Sequence, residues 1–224
     1  MTLLPEYTHI INNKLKHTYL SFDNEGNLII KSPKVSQAFI EQLLLKKSNW
    51  INSSREKILN KKGRKVTFKK ETTLFYLGQA YTLHCIQYTK KKYKLIFENK
   101  IFTLYYPTYN EESFQKSIDH FYKKESEILI SPLVKEWSNE MQIYPNKVSF
   151  RKAKRQWGSC SGNNHLSFNT MMIKLPLDVI QYIIIHELAH IKHKHHQKSF
   201  WFCVEQYLPD YKQQIKVLKT YTTY

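Results

Sequence analysis

At 224 residues, 42% of them apolar, the chain is long enough for one large domain or two small ones with a sizeable core. Its apolar stretches fall well short of the ~20 residues of a membrane span, which argues against a helical membrane protein. The formal charge of +17 is large and attracts nucleic acid or other polyanions.

The charge is uneven. Residues 1–110 carry 19 Lys/Arg against 7 Asp/Glu, residues 111–140 carry 4 against 7, and residues 141–224 carry 12 against 4. Basic clusters stand at Lys61-Lys62-Gly63-Arg64-Lys65, Lys69-Lys70, Lys90-Lys91-Lys92 and Arg151-Lys152-Ala153-Lys154-Arg155. Such clusters attract nucleic acid by counterion release, although a Lys-rich, solubilising surface has the same composition. Cys85, Cys160 and Cys203 are too few and too scattered for a disulfide framework. No charged segment followed by an apolar one opens the chain, so no secretory signal is expected and the setting is read as reducing and cytoplasmic.

Residues 8–31 alternate loosely about Asp23-Asn24-Glu25-Gly26-Asn27 and predict a strand–turn–strand unit. From 35 to 60 the period turns helical, with Phe39, Ile40, Leu43, Leu44, Trp50 and Ile51 forming an apolar stripe read as core. Residues 72–106 predict a four-stranded β-meander closed by Pro107. Its many aromatics suit strands; beside lysines they also offer faces to bases, but packing explains them more simply. A helix over 111–141 follows, kinked or divided at Pro132. Strands at 147–151 and 165–169 flank a loop through 158–164, and helices are expected at 179–191, 197–206 and from 211 onward. The fold class is α+β: a β-rich region over 1–108, then a helical connector leading into a C-terminal core over 109–224.

The most informative stretch is His186-Glu187-Leu188-Ala189-His190, an H-E-x-x-H motif inside an apolar helical run. Residues four apart share a helix face, so both imidazoles can address one Zn²⁺, with Glu187 beside them to act on a metal-bound water. Three ligands in line on a straight helix cannot surround a metal tetrahedrally, so the third must come after the chain turns. His196 leaves five residues for that turn; His195 is the alternative, and His193 is read as exposed or as an outer hydrogen-bond partner. Cys160 has no dedicated base and reads as a buried structural thiol. Trp157 is expected against the metal-bearing helix, Asn169 and Arg155 are candidates to support the site or bind substrate backbone, and Pro176 with Asp178 forms a plausible helix cap. His9, His17, His84, His120 and His165 stand isolated.

Arg155-Gln156-Trp157-Gly158-Ser159-Cys160-Ser161, Leu166-x-Phe168-Asn169, Leu175-Pro176, His186 to His190, His196 and Phe200-Trp201 together resemble the YgjP-like metallopeptidase domain. That family is similar to the SprT-like zinc peptidases, which have a gluzincin/metzincin-like core. The resemblance extends weakly to the N-terminal hairpin, Trp50-Ile51 and Tyr76-Leu77-Gly78. It implies His186, His190 and His196 as ligands of one Zn²⁺ per chain and Glu187 as catalytic acid/base. It also implies a zincin-like core and a protein or peptide substrate. The metzincin glycine is replaced by His193, and the C-x-x-C ribbon of some SprT-like proteins is missing, which weakens any transfer of their role on DNA. The reading is a zinc metallopeptidase. The alternative is a basic nucleic-acid-binding protein with a structural zinc, or a peptidase of nucleic-acid-associated proteins.

Overall fold

The computed structural model describes residues 4–23, 25–63, 66, 68 and 72–223. Asn24, Arg64, Lys65, Lys69 and Lys70, named above in the first turn and the basic clusters, lie outside them. The chain divides into two compact units, 1–61 and 62–224. Residue 108, the boundary expected from the sequence, falls inside the second unit.

The first unit is a three-stranded sheet with two helices. Strands β1 (Tyr7–Ile11), β2 (Tyr19–Phe22) and β3 (Leu28–Ser32) lie in the order β1-β3-β2, with β1 parallel and β2 antiparallel to β3. The turn between β2 and β3 is held by Asp23, whose Oδ1 accepts from the amides of Glu25 (2.9 Å) and Asn27 (2.8 Å). The expected single helix is two, α1 (Gln37–Lys46) and α2 (Ser48–Leu59). A straight helix of that span would run ~37 Å, far beyond strands of ~17 Å. The break lets Ile40, Leu44 and Ile51 all reach the Leu28–Ile30 face of the sheet. Phe39 and Trp50, expected in the core, are 45% and 44% exposed.

The second unit opens with strands β4 (Thr73–Tyr76), β5 (Gln79–Gln87), β6 (Lys94–Glu98) and β7 (Ile101–Tyr106). All four fall in the expected segment, but they do not form a meander. Their order is β4-β5-β7-β6, with β5 parallel to β7. Asn99 and Lys100, both at positive φ (50° and 62°), close a tight β6–β7 hairpin. The hairpin docks through β7, which contributes the fully buried Phe102 and Leu104, and leaves the lysine-bearing β6 at the edge.

Helix α3 (Glu111–Met141) buries Phe114, Ile118, Tyr122, Ser126, Ile130, Val134 and Ser138, a ridge at four-residue steps. It runs unbroken through Pro132. The carbonyl that loses its donor there belongs to Ile128, which is 58% exposed, so water can satisfy it. A second sheet holds β8 (Lys147–Arg151), β9 (Gly158–Cys160) and β10 (His165–Asn169) in the order β8-β10-β9, β8 parallel and β9 antiparallel to β10. Strand β9 occupies what the sequence suggested was loop.

A 3-10 helix (Thr170–Lys174) leads to α4 (Leu177–Lys192), α5 (Lys198–Tyr207) and α6 (Tyr211–Leu218). Pro176 takes the N-cap position of α4 without a side-chain cap, and Asp178 lies in its first turn. The 3-10 helix that leads into α4 is held from two elements, α3 and the β4–β5 turn. Ser126 Oγ donates to the Thr170 carbonyl (2.8 Å), while the amides of Leu77 and Gly78 donate to the carbonyls of Ile173 (2.8 Å) and Lys174 (3.0 Å). Gly78, at φ +85°, packs so tightly that a β-carbon would lie 2.8 Å from Pro176 Cγ.

Candidate metal centre

Helix α4 is apolar almost all round: Val179, Ile180, Ile183, Ile184, Ile185, Leu188 and Ala189 are buried, so the helix is held rigidly inside the core. His186 and His190, one turn apart, form its polar face, with ring centroids 4.8 Å apart. The helix ends after Lys192, where His193 turns extended (φ −124°, ψ 95°) and the chain folds back. His196 returns from that turn, and its Nε2 lies 3.1 Å from both His186 Nε2 and His190 Nε2.

Three ring nitrogens thus converge, their candidate ligand atoms all within 4.8 Å of one another. Zinc–nitrogen bonds of ~2.0–2.1 Å at tetrahedral angles place ligand nitrogens about 3.3–3.4 Å apart, so the spacing fits one ion. On His186 and His190 the opposite ring nitrogen faces protein. His190 Nδ1 lies 2.9 Å from the His193 carbonyl, which can only accept a hydrogen bond, so Nδ1 carries the proton and Nε2 is left free as a ligand atom. His186 Nδ1 lies 3.3 Å from the Tyr182 hydroxyl. Burial, then the neighbouring His190 and His196, push the His186 imidazole down to about 3; burial also lowers His190. Neutral imidazoles are the form that binds a metal. The fully buried Phe200 packs beneath all three rings, at centroid distances of 4.9, 4.5 and 4.7 Å, and Trp201 stacks on His196 at 5.6 Å.

His193 takes part through its backbone, as an outer hydrogen-bond partner. His195 is exposed and points its carbonyl at the Gln197 amide (2.8 Å).

Glu187 is 6% exposed, and burial raises its carboxyl to about 7. One wall around it is β9. The Gly158 backbone comes so close that a β-carbon there would meet Glu187 Cγ and Oε1 at 2.6 Å. This gives the Trp157-Gly158-Ser159-Cys160-Ser161 run a physical role: a short edge strand laid against the Glu187 side of α4. Trp157 is half-buried and packs with the cores on both sides of it. Cys160 is half-buried rather than buried; desolvation raises its thiol, partly offset by Lys194, 3.9 Å away. Lys194 also donates to Asn164 Oδ1 (2.7 Å) and the Ser161 carbonyl (3.3 Å), tying the loop after α4 to the β9–β10 turn.

Asn169 is buried and holds the approach to β9. Its amide nitrogen donates to the carbonyls of Ala153 (2.7 Å) and Gln156 (3.0 Å), and its oxygen accepts from the amides of Met171 (3.1 Å) and Ala153 (3.4 Å). It supports the site at one remove, whereas Arg155 is exposed. Tyr182, one turn before His186, was detectable by the same four-residue spacing that links the two histidines. Gly158 and Lys194 were not, because their partners are far away in sequence.

The sequence model of the YgjP-like metallopeptidase domain matches residues 16–221 of this chain. No curated protein matches it. Among solved structures, the metallopeptidase zymogen of Pyrococcus abyssi abylysin is 24% identical, with a TM-score of 0.39, over 41% of this chain and 93% of that one. The zymogen of Methanocaldococcus jannaschii jannalysin is 23% identical, with a TM-score of 0.35, over 39% and 93%.

Proposed function

Because the chain belongs to the YgjP-like metallopeptidase family, we propose that it cleaves peptide bonds at one zinc ion held by His186, His190 and His196, with Glu187 moving the proton. The observation that carries this reading is the convergence of three imidazole Nε2 atoms, two from α4 and one from the turn after it, with a buried carboxyl next to His186 on α4. A zinc ion held there by His186, His190 and His196 would supply Lewis-acid chemistry toward a peptide carbonyl and water.

The residues do the rest. Tyr182 and the His193 carbonyl fix the ring orientations, and Phe200 closes the floor to water. Glu187 takes a proton from the attacking water on a carboxylate oxygen and delivers it to the leaving amine nitrogen as the carbon–nitrogen bond breaks. Burial raises the Glu187 carboxyl, which favours its holding the proton taken from water until the amine leaves. Gly158 leaves it the room to do so. The working compartment is proposed to be reducing and cytoplasmic, supported by three free cysteines.

The test is hydrolysis of denatured casein by the zinc-loaded protein, with Glu187→Gln alongside. The variant should keep its zinc and lose about 10²–10⁴ in rate; wild-type turnover by that variant would overturn the mechanism.

A further inference from the structure

The proposed chemistry leaves one groove unused. A groove of about 710 Å³ between β6 and the N-terminal half of α3 shares no lining residue with the histidine site. Lys91, Lys92 and Lys94 line one wall, from the β5–β6 loop into β6. Lys116, His120 and Lys124 line the other, spaced by four residues and therefore on one face of α3.

This is more than a lysine-rich composition showing at the surface. Residues 111–140 carry 4 lysines against 7 acidic residues, yet the helix turns a basic face to the groove. Asp119 pairs with Lys152 (2.6 Å) and Glu127 with Lys123 (3.9 Å), both lysines outside the groove lining, while Glu112 pairs with Lys116 (2.7 Å) at the rim. Glu125, the one carboxylate among the lining residues, accepts from the Tyr76 hydroxyl (2.9 Å).

Between the two walls lie Tyr93, Leu95 and Phe121, all half-buried. The two rings are fixed. Tyr93 donates to the Thr108 carbonyl (2.8 Å), and Phe121 packs edge-on against Phe102 at 5.5 Å. Two basic rims around rigid aromatic surface match a polyanion that carries a planar apolar group at every charge. An acidic peptide has the charge without the planar groups, and a duplex hides its bases from such a floor. We infer that this groove binds single-stranded nucleic acid, phosphates on the lysines and bases against Tyr93 and Phe121.

The test uses the full-length protein and fluorescent oligothymidylate and oligouridylate, read by anisotropy over a salt series. The wild type should bind at least one of them, more weakly as salt rises. The exposed double reversal Lys94→Glu/Lys124→Glu should bind about tenfold or more weakly, its log–log salt slope smaller by about 1.4 for two lost phosphate contacts. Its zinc content and casein hydrolysis should stay as in wild type, which separates this inference from the reading of the metal centre. Equal binding by the double variant would overturn the inference. So would equally tight binding of a duplex, or polyglutamate displacing the oligonucleotide as well as unlabelled oligonucleotide does.

Discussion

Gly158 and Glu187, on different elements and 29 positions apart, touch so closely that a β-carbon on the first would sit 2.6 Å from Oε1 of the second. The φ angle of Gly158 is not among the positive ones, so the backbone there does not require glycine; only the space does. Gly158→Ala is therefore expected to push the carboxyl off its position at a cost of about 1–3 kcal/mol. It should lower peptide turnover about tenfold or more, while zinc content stays at one per chain because no imidazole is touched. Parallel measurement of turnover and zinc would check both halves; unchanged turnover would mean that the carboxyl position is not critical.

The proposed ligand set makes a sharper distinction among the five clustered histidines. His196→Ala should lose stably bound zinc. His195→Ala should keep it, and so should His193→Ala, since His193 acts through its carbonyl. Tyr182→Phe removes the partner of His186 Nδ1 and should weaken zinc binding about 10–100-fold. Zinc content after gel filtration and competition with a chromophoric chelator give the comparison.

Asn169 satisfies four backbone groups around the approach to β9 from a buried position. Asn169→Ala leaves them unpaired and should cost about 1–3 kcal/mol of stability. Urea unfolding of the two proteins measures it; a loss below a few tenths of a kcal/mol would mean that water replaces the amide.

Lys174 is buried, donates to the Gly63 carbonyl (3.1 Å) and lies over the Tyr122 ring (5.4 Å). Desolvation, with a smaller push from Lys152 against the pull of Asp119, brings its ammonium down to about 7. The unfolded chain keeps that proton up to about pH 10.4. Between these values the unfolded state binds the extra proton, so stability rises with pH. From about pH 7 to about pH 9 the wild type should gain stability relative to Lys174→Met, by at most about 1.4 kcal/mol per pH unit. Chemical unfolding at both pH values checks the sign; a difference that shrinks with pH would contradict it.

Much of the candidate site was legible in the sequence because it is written in local periods. The four-residue spacing of His186 and His190 inside an apolar helix needs no tertiary information, and the argument that a third ligand must follow a turn used only the length of chain between His190 and His196. The helices, the four strands of 72–106 and the strands at Lys147–Arg151 and His165–Asn169 were readable from apolar repeat alone. Tertiary structure decided what depends on partners distant in the chain. Strand order is one case: alternation marks β7 as a strand but not that it pairs in parallel with β5. The helix break at Lys47 is another, set by the width of the sheet beneath it. Strand β9 is three residues long with no alternation to betray it, and exists because β10 offers it an edge. The basic face of α3 was masked by a net acidic segment until its partners separated one side from the other. Sequence patterns record which face of an element is apolar or polar; only packing decides what that face meets.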